Sequence, residues 1–87
     1  MLFMVIERFA DAREVYRRVR EGGRSLPEGL RYVDSWVRAD LRGCFQLMEC
    51  DDAALLQEWI ASWADITEFE IVPVTPSRVT QELMARQ

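Results

Sequence analysis

Apolar and polar positions follow two different periods along this chain, and the switches between them mark its elements. The run "LFMVIERF" (residues 2–9) is continuously apolar until Glu7 and Arg8, the pattern of a central strand buried on both faces. In "DAREVYRR", Asp11 stands as a helix N-cap with Glu14 three positions on, the spacing of a capping box. Apolar residues then recur at 12, 15, 16, 19, 22/23 and 26, as on a helix, until Pro27 and Gly29 close it. "RYVDSWVRA" (31–39) alternates as a half-buried strand does, "DLRG" (40–43) reads as a turn, and "CFQLMEC" (44–50) as the returning strand of a hairpin. Asp51 or Asp52 caps a second helix with Leu56, Trp59, Ile60 and Trp63 on its inner stripe. "ITEFEIVPV" (66–74) is a fourth strand, with Pro73 near an edge or strand end. Thr75 as cap and Pro76 at the first helical position open a short terminal helix.

The order β-α-β-β-α-β is the split βαβ, ferredoxin-like arrangement of the α+β class. Crossover handedness places both helices on one face of a four-stranded antiparallel sheet of order 4-1-3-2. Residues 1–75 are expected to form this single domain, and 76–87 a short helical tail. The second sheet face is left with no covering element.

Period two divides each strand between those faces. The more apolar sets, Leu2/Met4/Ile6, Val33/Ser35/Val37, Phe45/Leu47 and Phe69/Ile71, are assigned to the helix-covered core. The opposite sets are Phe3/Val5/Glu7, Tyr32/Asp34/Trp36/Arg38, Cys44/Gln46/Met48/Cys50 and Glu68/Glu70/Val72. That second face mixes large apolar and charged groups, as a wall shared by a partner and a cavity would.

Composition sharpens the picture. A chain of 87 residues buries only about 60–65% of its unfolded surface. With 49% hydrophobic residues it carries more apolar surface than a monomer of this size needs, which favours a homodimer through the open sheet face. The formal charge of −4 splits into +2 over residues 1–42 and −6 over 43–87, which reads as complementary elements packed side by side rather than as a nucleic-acid platform. The arginines of the first helix, Arg13, Arg17, Arg18, Arg20 and Arg24, read as a solvated face partly paired with the acidic second helix. Strand "GCFQLME" lacks the aromatic-Gly-aromatic signature of RNA-binding sheets, so no nucleic acid is expected.

Cys44 and Cys50 lie about 20 Å apart along one strand, too far for a disulfide, which suits a reducing compartment. "MLFMVI" has neither the positive lead nor the length of a signal or membrane segment, so a cytoplasmic protein without membrane contact is expected. Histidine is absent, which removes the commonest general base, zinc ligand and haem ligand; no metal and no cofactor are expected.

The ligand-binding candidates are Glu7, Tyr32, Asp34, Trp36, Arg38, Gln46 and Met48, all assigned to the open face. Glu7, in a central strand, is the one candidate for proton transfer, with Glu68 or Glu70 beside it to raise its pKa or Arg38 or Arg8 as an ion-pair partner. Glu68 and Glu70 read more simply as edge-strand charges in water. Trp36 reads as an interface anchor before it reads as a ligand platform. Trp59 and Trp63, one helical turn apart, read as packing residues.

"LPEGLRYVDSW", "CFQLMEC", "LLQEW" and "FEIVPV" resemble the family catalogued as domain of unknown function 3303, over roughly residues 1–75. That family in turn resembles the dimeric α/β-barrel superfamily, in which two ferredoxin-like sheets pack face to face. The resemblance implies the fold and a dimer. It implies no reaction and carries over no catalytic residue. The function expected is small-molecule binding in a cavity between sheets or between sheet and helices. The alternatives are a cofactor-independent isomerase- or monooxygenase-like enzyme using Glu7, and a structural dimer without a site.

Overall fold

The computed structural model describes residues 1–87. Its elements are β1 (Leu2–Phe9), α1 (Ala12–Gly22), β2 (Arg31–Val37), β3 (Gly43–Glu49), α2 (Ala54–Trp63), β4 (Thr67–Val74) and α3 (Ser77–Ala85). The sheet runs β2-β3-β1-β4 with every neighbour antiparallel, the expected 4-1-3-2 order read from its other edge.

Local chemistry sets the element ends. Asp11, in extended conformation, accepts a hydrogen bond from the Arg13 N–H at 3.0 Å and so caps α1. The reciprocal half of the capping box does not form, because Glu14 is held by Arg17. Gly23 ends the helix at φ 69°, a conformation that costs a side-chain-bearing residue more, and returns its N–H to the Val19 oxygen at 2.7 Å. Asp52 accepts from the Ala54 N–H at 2.9 Å at the start of α2. α3 begins at Ser77, a residue later than expected, because Pro76 keeps an extended ψ of 137°.

The faces of two strands are the reverse of those expected. Phe3, Val5 and Phe9 of β1, with Cys44 and Met48 of β3, are buried with Val15 of α1 and Leu56, Trp59 and Trp63 of α2. Leu2, Met4 and Ile6, with Phe45 and Leu47, lie on the open side. Both stripes of β1 and β3 are apolar, so hydrophobicity does not label them, and Phe9 extends the Phe3/Val5 stripe. β4 keeps its expected sides, Phe69 packing edge-to-face on Trp59 with centroids 5.6 Å apart. In β2 a register shift between Tyr32 and Asp34 takes Val33 out of the ladder. Tyr32 thus joins Ser35 and Val37 on the helix side, while Asp34 and Trp36 face outward.

The open face reads in cross-strand rows from β2 to β4. Asp34, Leu47, Met4 and Val72 form one row, and Trp36, Phe45, Ile6 and Glu70 the next. Arg38, whose N–H donates to the Gly43 oxygen at 2.9 Å, begins a row that ends through Arg8 at Glu68. Trp36 is 52% exposed there. α3 buries none of its residues, and the Cα radius of gyration is 14.6 Å against about 12 Å for a compact chain of this length. No helix is long and apolar enough to cross a membrane.

Candidate functional site

The reversal of β1 and β3 puts Glu7 and Gln46 under the helices. Glu7 lies opposite Cys44 on β3 and Phe69 on β4, with Gln46 one step along the same face. Gln46 Nε2 donates to Glu7 Oε2, joining residues 39 positions apart. Both side chains are enclosed, Glu7 at 7% and Gln46 at 8% residual exposure. Gln46 Oε1 is buried and has no hydrogen-bond partner.

A cavity of about 70 Å³ opens beside this pair. Val15, Tyr16 and Val19 of α1, Trp59 and Trp63 of α2, and Ser35, Val37 and Cys44 of the sheet wall it, with the exposed Arg24 completing the lining. The Trp59 and Trp63 indoles both donate to the Arg24 backbone oxygen, at 2.9 and 3.0 Å, and tie the chain after α1 to α2. The Arg24 guanidinium lies over the Tyr32 ring, 3.9 Å from its centroid, and makes no ion pair.

Burial dominates the electrostatics of this site. It raises the Glu7 carboxyl above its ordinary value, against smaller opposing effects from the Gln46 hydrogen bond and the Arg24 charge. Burial, reinforced by Glu7, pushes the Cys44 thiol up to about 11, so it remains S–H at neutral pH. Burial likewise raises the Tyr16 phenol. The site therefore offers a carboxyl that holds its proton longer than usual beside an amide oxygen in need of a donor.

The seven sequence-derived candidates divide between the two faces. Glu7 and Gln46 line the cavity. Tyr32 is outside it, under the Arg24 guanidinium, its hydroxyl 2.6 Å from Ser35 Oγ. Met48 has no exposure and packs in the core away from the cavity. Asp34, Trp36 and Arg38 lie across the sheet, so they share no wall with Glu7. Glu68 and Glu70 are also on that far side, and the partner of Glu7 is Gln46 rather than Arg8 or Arg38. Arg24, Tyr16 and the two α2 indoles are additional lining residues; the spacing of the tryptophans signalled burial but not that they share an acceptor.

A larger groove of about 520 Å³ runs between the start of α1 and the loop before β4. Three of its four carboxylates are already engaged, Asp11 capping α1, Glu14 binding Arg17 and Asp65 binding Arg18 at 2.8–3.0 Å, and only Glu68 is unpaired. Arg18 also donates to the Ser62 backbone oxygen of α2, so the basic first helix is tied to the end of α2 and, through Asp65, to the turn after it rather than to an acidic helix face. No group of three or more Cys, Asp or Glu side chains is placed to hold a metal ion.

The whole chain, residues 1–87, matches the model of the family described as Domain of unknown function (DUF3303). The chain belongs to that family. No curated protein and no solved structure matches it. The DUF3303 match takes in α3 as well as the sheet and its two helices.

Proposed function

We propose that this DUF3303 protein is a homodimeric small-molecule-binding protein whose ligand occupies the cavity between the sheet and its helices, against Glu7 and Gln46. The observation that carries the reading is the orphaned Gln46 oxygen beside a buried carboxyl in a walled cavity. Leaving such an oxygen unpaired costs about 1–3 kcal/mol, so the site is disposed toward an occupant that donates to it. The free thiols Cys44 and Cys50 suit a cytoplasmic setting.

The open face supports the dimer. Leu2, Met4, Ile6, Phe45, Leu47, Val72 and Trp36 form an apolar field with no element over it. Arg38 on β2 lies at the opposite edge from Glu68 and Glu70 on β4, with Asp34 further along β2 and Arg8 between the edges on β1. A two-fold axis parallel to the strands lays β2 over the partner's β4, which brings Arg38 against a carboxylate edge and packs apolar rows together.

One observation favours a second reading. The Glu7 carboxyl, raised above its ordinary value by burial, is the group a cofactor-independent isomerase- or monooxygenase-like enzyme would use for proton transfer.

Sedimentation together with a fragment screen by thermal shift tests the proposal. A dimer at micromolar concentration is expected, along with fragments that raise the melting temperature of the wild type but not of Gln46→Met. A stable monomer removes the assembly. A dimer that no fragment stabilises is the structural dimer without a site.

A further inference from the structure

The cavity wall carries a buried amide oxygen and an exposed guanidinium among mostly apolar side chains. Gln46 Oε1, on a side chain more than nine-tenths buried, lacks a donor. Arg24, which is exposed, is the one cationic side chain on the cavity wall and has no carboxylate partner. Its backbone is fixed by two indole hydrogen bonds and its guanidinium by stacking on Tyr32. A guanidinium so oriented presents a ready fork to a carboxylate. Val15, Val19 and Val37 are among the cavity's apolar lining residues.

Size narrows the class. An apolar cavity of about 150 Å³ accommodates benzene, so 70 Å³ is too small for an aromatic ring without repacking. It accommodates a hydroxyl and a short stretch of methylenes, with a carboxylate left for the exposed Arg24. We propose that the cavity takes a short-chain hydroxycarboxylate, its hydroxyl donating to Gln46 Oε1 and its carboxylate held by Arg24. This rests on the cavity being a small-molecule site, as proposed above.

The indole N–H signals of Trp59 and Trp63 report on both walls and on the carbonyl that anchors Arg24, while that of Trp36 reports on the other side of the sheet. These signals are to be followed by NMR while the full chain is titrated with glycolate, 3-hydroxypropionate, 4-hydroxybutyrate and 5-hydroxyvalerate. The matched alcohols and unsubstituted acids are the controls. One hydroxy acid is expected to bind at least tenfold more tightly than both its alcohol and its acid, moving the Trp59 and Trp63 signals but not that of Trp36. Arg24→Met, a change at an exposed side chain, is expected to weaken it at least tenfold, and Gln46→Met to erase the preference over the unsubstituted acid. Alcohols binding as well as hydroxy acids, or binding unchanged in Arg24→Met, would overturn the class and leave the binding site standing. The same holds if no probe of the series binds while a fragment of other chemistry moves the two indole signals. Silence from fragments of every chemistry overturns both.

Discussion

Trp59 and Trp63, one turn apart on α2, donate to the same carbonyl oxygen, that of Arg24. Each indole closes part of the core and, through that shared acceptor, ties the start of the α1–β2 connection to α2. The two bonds are therefore coupled. Replacing either tryptophan by phenylalanine leaves the oxygen one donor, whereas replacing both strips it. Each single change is expected to cost about 1–2 kcal/mol in urea unfolding, and the double change about 0.5–1 kcal/mol more than their sum. Strict additivity would show that the oxygen does not couple them.

The pH dependence of stability should carry the signature of Glu7. Its folded pKa is raised from 4.5 by burial, so over the window above 4.5 the folded state holds a proton that the unfolded state has released. Stability from this group is complete below the unfolded pKa and falls as pH rises through the folded one, with a slope of at most about 1.4 kcal/mol per pH unit. Glu7→Gln removes that loss. It is expected to gain on the wild type in urea titrations as pH rises from 4 to 8, and parallel curves would show that Glu7 is solvated.

The open face gives a separable prediction. Phe45→Lys, at a position 38% exposed and opposite Trp36, introduces a charge into the apolar field without entering the core. Sedimentation should show at least a hundredfold weaker self-association, about 2.7 kcal/mol, with the circular dichroism spectrum unchanged. An unchanged dimer would place the interface elsewhere.

Gly43 has a close-approach role. A Cβ there would strike the backbone oxygen of Glu7 and crowd the Arg38 side chain. Gly43→Ala is expected to destabilise by about 1–3 kcal/mol by displacing β1 at Glu7, measured by urea unfolding. The indole signals of Trp59 and Trp63 should shift with it.

Leu41 occupies the β2–β3 turn at φ 62° with its side chain 60% exposed. The left-handed region suits Asn or Gly better than leucine. Leu41→Asn is expected to stabilise the fold by up to about 1 kcal/mol in the same assay, with ligand binding and dimerisation unaffected.

The order of elements, the strand order and the existence of an uncovered sheet face were legible from local pattern. Alternation in "RYVDSW", the Asp11 cap and the tryptophan spacing on α2 are short-range signals, and crossover handedness leaves little choice of topology. Trp36 was placed outward for the same reason. The side on which Glu7 and Gln46 lie was a different kind of question. Period two separates the stripes of β1 and β3 but names neither when both are apolar, as with Leu2/Met4/Ile6 and Phe3/Val5/Phe9. The choice is made by Val15, Trp59 and Trp63, distant in sequence, packing onto one stripe, and the irregularity at Val33 turns Tyr32 to the same side. The sequence by itself thus determined the ferredoxin-like frame and its open face. Only tertiary packing decided that the carboxyl and the amide meet beneath the helices beside a cavity, because burial is a property of what covers a residue and not of its neighbours in the chain.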